Sequence, residues 1–327
     1  MPNLNFAKLQ LISLKAVAAA PSQGEQNVIN KTGQDRTKLS RISCSFIGSA
    51  FNLALSQFPN TVRIETTNAC NAKCVICPHR NMQRPARYMD DALYNRIIDE
   101  CSKYNCGNVH LHNFGEPLLD KRLSERIRYA KEKGLKRVII FSNGSVLTAD
   151  KAHELIDAGL DEIKISFDGT TKEEFEQIRF GLKFDTIVAN IKELVKIRNL
   201  KKSPLKIKVA CCSTSDKNET MRALENCVDD FSFGKVHNWT DSEINHAGKS
   251  TIRKPCSRVW RTFTVLSNGN AALCCLDYEG QVILGDANKT SVFEIWNNKS
   301  YRKIRLLHKT AQQDQIAICK SCTKSFW

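Results

Sequence analysis

From Thr61 to Trp239 short strand-like segments alternate with longer helix-like ones, and that rhythm limits the possible folds more than any other feature of the chain. Val62-Arg63-Ile64-Glu65 has the period of two expected of a strand with one buried face. Val109-His110-Leu111, Val138–Phe141, Glu162–Phe167, Leu205–Cys211 and Lys235–Trp239 read as further strands. Between them lie helical stretches near Asp90–Tyr104, at Leu123–Lys133 before Gly134, and at Thr148–Ala158, Thr186–Asn199 and Asn218–Val228. Within Thr186–Asn199, Ile187, Ile191, Leu194 and Val195 share one face. Strands separated by helices and short connections require parallel pairing through right-handed crossovers, in an open sheet or a barrel. A dinucleotide-binding open sheet would place a glycine-rich turn after its first strand. Here that turn is Asn68-Ala69-Cys70-Asn71-Ala72-Lys73-Cys74. The units are too few for a closed eight-fold barrel. The expected fold is therefore α/β, a partial (β/α)6 TIM-like barrel over residues 61–240.

The flanks follow different rules. Residues 1–60 read as an N-terminal extension, polar over residues 1–42, with helix-like apolar spacing at Ser43–Ser56. Lys8 and Lys15 interrupt the apolar character around Ala16–Ala20, so no targeting segment is expected. Asp241–Lys254 reads as a linker, and residues 241–327 as a small C-terminal α+β domain. That tail holds a hairpin, Phe263–Leu266 and Ala271–Cys274 around Ser267-Asn268-Gly269-Asn270, and a helix from Val292 to about His308.

The 327 residues are 42% hydrophobic, enough to bury a core and incompatible with a disordered chain. The longest near-apolar run, around Phe46–Leu55, is too short to span a bilayer, so no membrane partner is expected. A formal net charge of +15 raises the question of nucleic acid. No run of five or more Lys/Arg occurs, and no aromatic residues interleave a basic stripe, so nucleic acid is not the expected partner. A diffuse basic surface suits an anionic small substrate or an acidic electron donor equally. Fourteen cysteines in a chain too long for a disulfide scaffold point to metal or redox chemistry in a reducing cytoplasm.

Cys70, Cys74 and Cys77 form C-x3-C-x2-C directly after the first strand. Three thiolates hold three irons of a [4Fe–4S] cube and leave the fourth open. The bland alternatives are a zinc site short of one ligand, or chance. Cys256, Cys274, Cys319 and Cys322 form a second set, ending in C-x2-C, that fully ligates one cluster or one structural zinc. Adjacent Cys274 and Cys275 point to opposite faces of a strand, so only one reaches an iron. The other cysteines (Cys44, Cys101, Cys106, Cys211, Cys212, Cys227 and Cys275) read as small apolar residues, and His79 as a loop residue.

Further polar residues sit on the carboxyl rim, where parallel α/β folds place ligands. They are Gly115 and Glu116 in Asn113-Phe114-Gly115-Glu116-Pro117, Asn143 before Gly144, Ser166 and Asp168 in Ser166-Phe167-Asp168-Gly169, and Arg179 in Ile178-Arg179-Phe180-Gly181. Taken singly, each is equally turn chemistry or a surface charge.

The triplet, followed by these elements strand by strand, resembles the radical S-adenosylmethionine (SAM) superfamily over about residues 60–327. The resemblance implies a SAM-binding [4Fe–4S] cluster on Cys70, Cys74 and Cys77, whose open iron chelates SAM. An electron from an external donor such as flavodoxin or ferredoxin then splits SAM to methionine and a 5′-deoxyadenosyl radical. It also implies SAM contacts at Gly115 and Glu116, where Phe114 replaces a family glycine, and at Asn143, Ser166, Asp168 and Arg179. The tail resembles the SPASM/twitch extension through Trp260, Asn268-Gly269, Cys274-Cys275-x-Asp277, Leu284-Gly285 and Ile295-Trp296-Asn297. Its cysteine spacing is most similar to a short, single-cluster version found in a radical SAM dehydrogenase of an aminocyclitol alcohol. That implies an auxiliary [4Fe–4S] cluster on Cys256, Cys274, Cys319 and Cys322, with Cys274 rather than Cys275 as ligand. Few residues follow Cys322, so a second auxiliary cluster is not expected.

The expected activity is hydrogen abstraction leading to two-electron oxidation of a small, sugar- or aminocyclitol-like molecule, with the auxiliary cluster as electron acceptor. Two other readings stand beside it: a maturase acting on a ribosomal precursor peptide, and a non-oxidative sugar reaction. The non-enzymatic alternative is a zinc-stabilised RNA-binding protein, which leaves the triplet unexplained. No general base stands out; Asp277 and Tyr278 lie near the second cysteine set in sequence.

Overall fold

The alternation along Val62–Glu65 has its reason in a computed structural model of the chain, which describes residues 43–213, 216–224, 227–236, 238–239 and 254–322. Strand β1 (Thr61–Ile64) buries Val62 and Ile64 completely on one face and turns Arg63 to the other. The same division runs through β2 (Asn108–His110), β3 (Val138–Ser142), β4 (Glu162–Ser166) and β5 (Lys206–Cys211). Val109, Val138, Ile140, Ile163, Ile165, Ile207 and Val209 fill the apolar face. The opposite face carries His110, Phe141, Lys164, Ser166 and Lys208. It is too polar to be a core.

The apolar face is covered by the crossover helices α2 (Asp91–Lys103), α3 (Leu123–Glu132), α4 (Ala149–Asp157) and α6 (Phe184–Leu200), which contribute Ile97, Ile127, Leu155, Ile191 and Leu194. Fully burying each such side chain is worth about 1.5–3 kcal/mol before chain entropy is set against it. Their starts are written locally: Asp90 accepts from the backbone N–H groups of Ala92 and Leu93, and Thr148 from that of Lys151. A helix over residues 43–53, α1, packs Phe51 against Trp260, whose indole donates to the side chain of Asn52.

Strand order is β6-β5-β4-β3-β2-β1-β7-β8-β9, with β6 at Asp230–Phe233, β7 at Thr262–Val265, β8 at Asn270–Ala272 and β9 at Ile283–Asp286. Strands β1 to β6 are parallel throughout, the partial barrel. The tail does not form a sheet of its own. Its β7 lies parallel to β1, Val62 opposite Phe263, and the antiparallel β8 and β9 extend from there. The tail thus takes the free edge of β1. No helix among the described residues is long and apolar enough to cross a membrane.

Three elements differ from the sequence reading. The sixth strand is Asp230–Phe233, not Lys235–Trp239: helix α7 (Lys217–Ala223) ends a turn early, and Asp229 pairs both its backbone and its carboxylate with Ile207. Trp239 has φ +45°, outside any strand. The helix expected from Val292 to His308 is two, α9 (Val292–Trp296) and α10 (Lys299–Lys309), because the Asn298 side chain caps a new start by accepting from Tyr301 N–H. A short α5 (Lys172–Ile178), capped by Thr171, was not anticipated. Residues 1–42 of the extension and most of the expected linker lie outside the described residues.

Candidate active site

The loop carrying Cys70, Cys74 and Cys77 crosses the carboxyl ends of the strands, and all three thiols line one cavity of about 370 Å3. The loop is fixed like a strand: Lys73 N–H donates to the Phe180 carbonyl and Val75 N–H to that of Ile178. That pairing sets Arg179 beside the triplet, with Nη1 3.7 Å from Cys74 Sγ. Burial pushes the Cys70 thiol up to about 12 and the Cys77 thiol up to about 11, each opposed by a backbone N–H two residues on, Ala72 and His79. Bare, both are protonated at neutral pH, so a metal must displace their protons. His79 donates from Nε2 to the Asn68 carbonyl, 2.7 Å, which makes it a loop anchor.

Behind the triplet, Gly115 has φ +100°, and a Cβ there would stand 2.6 Å from the Thr67 carbonyl oxygen. Only glycine lets the β2 loop lie directly on the cysteine loop, where Glu116 N–H donates to the Ala69 carbonyl. Glu116 is buried. Its Oε1 accepts from Leu118 N–H and the Ser142 hydroxyl, and its Oε2 from Asn143 N–H at 2.6 Å. Burial, against those hydrogen bonds, raises its carboxyl to about 7. Asn143, Ser166 and Arg179 reach the same cavity wall. Phe114 takes the place of a family glycine without blocking the site, packing against Trp239 and Tyr278.

Asp168 departs from expectation. It is fully buried, Oδ1 accepting from the N–H groups of Cys212 and Ser213 and Oδ2 gripping Arg179, and it is not part of the cavity wall. Its place is behind Arg179, holding that guanidinium toward the cavity. Asp277 is likewise a turn acid rather than a base, its oxygens accepting from the N–H groups of Gln281 and Val282.

In the tail, His308 joins two of the expected ligands: Nδ1 accepts from Cys256 N–H at 3.3 Å, and Nε2 lies 3.8 Å from Cys319 Sγ. Cys274 accepts from Leu276 N–H at 3.4 Å, and its hydrogen bond to Cys275 together with burial pushes its thiol up. The expected opposite-facing strand pair is not formed: β8 ends at Ala272, and Cys274 and Cys275 lie in the turn beyond it with their thiols hydrogen-bonded to each other. Cys275 also lines the cavity, where Arg258 Nη1 donates to its sulfur at 2.8 Å. Among the described residues no three His, Cys, Asp or Glu side chains close on one point, at the triplet or in the tail. The loop beyond the triplet is tied to the tail as well: Arg84 pairs with buried Glu65 and donates from Nε to the Tyr278 carbonyl.

Four cavity residues escaped the sequence reading: Arg63, His112, Arg258 and Cys275. The alternation of β1 put Arg63 on the inner face, but a pattern does not say whether that face lines a cavity.

Residues 64–203 match the model of the radical SAM superfamily, and residues 256–323 that of an iron–sulfur cluster-binding domain, SPASM. The chain is a radical SAM enzyme carrying a SPASM domain. Among curated proteins it is 24% identical over 264 residues to the S-adenosyl-L-methionine-dependent 2-deoxy-scyllo-inosamine dehydrogenase of Niallia circulans, covering 80% of this chain and 91% of that one. It is 32% identical over 180 residues to a probable GTP 3′,8-cyclase of Methanopyrus kandleri, spanning only 54% of each chain. Among solved structures, BtrN in complex with AdoMet and 2-DOIA aligns with TM-score 0.57 at 19% identity, over 81% of this chain and 93% of that one. Streptococcus suis SuiB bound to precursor peptide SuiA aligns with TM-score 0.63 at 14% identity, over 91% and 76%. These structural likenesses are of fold.

Both domains imply [4Fe–4S] clusters, one of them binding SAM, and the donor chemistry fits. Three thiols share the cavity with Glu116 and Arg179, an acid and a base for the ammonium and carboxylate of an amino acid. Backbone N–H groups already aim at Cys70, Cys77 and Cys274, as they do at cluster sulfurs.

Proposed function

We propose that the chain oxidises an alcohol of a small, sugar-like molecule by two electrons. Cys70, Cys74 and Cys77 would hold the SAM-binding cluster; Glu116, Asn143, Ser166 and Arg179 would hold SAM, with Gly115 giving the close backbone approach. Cys256, Cys274, Cys319 and Cys322 would hold the auxiliary cluster. When bound, the first cluster and SAM supply a hydrogen-abstracting radical, and the auxiliary cluster supplies a sink for one electron.

One observation carries the reading: the cavity that meets the triplet is closed on its other side by Arg258, Cys275 and Leu276 of the tail. A substrate there would lie between the two cysteine sets, next in sequence to Cys274 and close to Cys256. The protein's own part is to orient and to exclude water. Asp168 aims Arg179, the Gly115 turn presses the two loops together, and Phe114 with Trp239 closes the rim. The match to the dehydrogenase over most of both chains supports an oxidation of a small molecule. The residues 61–240 and 241–327 would then be a catalytic barrel and an electron-accepting tail that share one sheet.

The test is metal analysis and SAM cleavage after anaerobic reconstitution. About eight irons per chain are expected, falling to about four when Cys70, Cys74 and Cys77 are all changed to Ala, with 5′-deoxyadenosine formation lost. A colourless protein with stoichiometric zinc would overturn the tail assignment. Product from a precursor peptide, with none from small alcohols, would overturn the substrate class.

A further inference from the structure

The cavity wall is chemically lopsided on the side away from the triplet. Its charged residues are Arg63, Glu116, Arg179 and Arg258. Arg179 is matched by Asp168, and Glu116 sits among N–H and O–H donors on the SAM side. Arg63 is different. It is buried, only 9% exposed, and no carboxylate among the described residues pairs with it. Its Nη2 meets a neutral imidazole, Nδ1 of His110, at 3.3 Å, the guanidinium also hydrogen-bonds the Cys275 thiol, and its Nε has no partner. Further positive charge stands close by: Arg258 on the same wall, and Lys164, which pairs with Glu162 at 3.5 Å and whose Nζ lies 5.2 Å from the Phe141 ring that lines the cavity. A buried guanidinium with cysteine sulfurs but no carboxylate beside it is costly, and a ligand that brings an anion would complete it.

The second observation is His112. It lines the cavity beside Arg63, its ring tilted against that of Phe141 with centroids 4.4 Å apart, and its Nδ1 is buried without a partner. The ring also lies within reach of the Ile139 backbone. Nδ1 is left without a partner beside a positive wall. It asks for a hydroxyl.

We propose that this wall binds a hydroxylated oxyanion, a carboxylate or a phosphate ester, whose charge Arg63 neutralises and whose hydroxyl hydrogen-bonds Nδ1 of His112. Arg258, whose Nη1 donates to Cys275, adds to the positive field of this wall. The geometry points away from an aminocyclitol, whose ammonium would face Arg63, Arg258 and Lys164. The substrate would instead be an acid or phosphorylated sugar bearing a free alcohol. The proposal rests on the function proposed above and names the class of molecule oxidised.

The experiment uses the full chain with both clusters loaded and SAM saturating, so that Arg179 is occupied. Thermal unfolding is followed in glycolate, acetate, inorganic phosphate, ethanolamine and chloride at constant ionic strength, because a ligand of the folded state raises the melting temperature by mass action. Glycolate is expected to stabilise saturably and more tightly than acetate, with chloride and ethanolamine inert. A larger response to phosphate than to acetate assigns a phosphate ester; the reverse assigns a carboxylate. Arg63→Met should weaken every anion about tenfold or more, the loss of one charged hydrogen bond, with Arg63→Lys between. His112→Phe should erase the margin of glycolate over acetate and leave acetate unchanged. No saturable effect beyond chloride in the wild type overturns the proposal, as does undiminished affinity in Arg63→Met. If Arg63→Met moves the midpoint potential of the tail cluster while anion affinity stays, Arg63 serves the cluster and the proposal falls. Should Arg63→Met not fold, Arg63→Lys and the wild-type series decide. SAM cleavage by the wild type in the same preparation separates the two levels: cleavage without anion stabilisation overturns this inference alone.

Discussion

Glu116 shows how burial turns a turn residue into a titrating one. Its carboxyl is raised to about 7 from 4.5, mainly by desolvation. Between those values the folded chain holds a proton that the unfolded chain has lost, so the SAM-free protein loses stability as pH rises through that window. An ammonium placed at Glu116 favours the carboxylate. SAM affinity should therefore rise by up to about tenfold per pH unit below pH 7 and level off above it, while Glu116→Gln gives a flat profile. Isothermal titration across pH 5.5 to about 8 reads this directly, and a flat wild-type profile would contradict it. The residue scale is also where sequence reading was least complete. Cys70, Cys74 and Cys77 were visible because their spacing is itself the signal. Asp168 looked like a ligand contact because position on the carboxyl rim does not distinguish a residue facing the cavity from one gripping Arg179 behind it. Arg63 and His112 were hidden in ordinary strand alternation, since their role depends on what stays unpaired after folding.

Elements were legible where periodicity and capping agree, as in α4 between Thr148 and Gly159. They were misread where a local side-chain bond overrides periodicity. Asn298 starts a new helix inside an amphipathic run, and Asp229 recruits Asp230–Phe233 to the sheet ahead of the more apolar-looking Lys235–Trp239. The contact of two loops through Gly115 makes the sharpest prediction at this scale. Gly115→Ala must put a Cβ 2.6 Å from one carbonyl oxygen and 2.8 Å from another, at φ +100°. Backbone strain of this kind costs about 1–3 kcal/mol. The cysteine loop should be pushed outward, so the variant is expected to melt lower and to bind SAM at least about tenfold more weakly, reading that strain as affinity. Unchanged affinity would mean that the loops are not pressed together in the working protein.

At the scale of the whole molecule, one sheet runs through barrel and tail, because β7 occupies the open edge of β1. An uncovered parallel edge invites pairing with another chain. A chain ending at residue 239 should therefore elute as aggregates on size exclusion, whereas a soluble monomer that still assembles its first cluster would show that the barrel needs no edge cover. The same continuity brings Cys275, the neighbour of Cys274, to the cavity wall, and the proposal that the tail takes an electron from the substrate rests on that placement. The direct measurement is product formation by Cys319→Ala/Cys322→Ala with the first cluster intact. With dithionite and SAM, 5′-deoxyadenosine should still form, since the cavity side needs only Cys70, Cys74 and Cys77, while oxidised product should disappear. Full conversion of substrate to oxidised product by a folded double variant lacking the tail cluster would contradict the account.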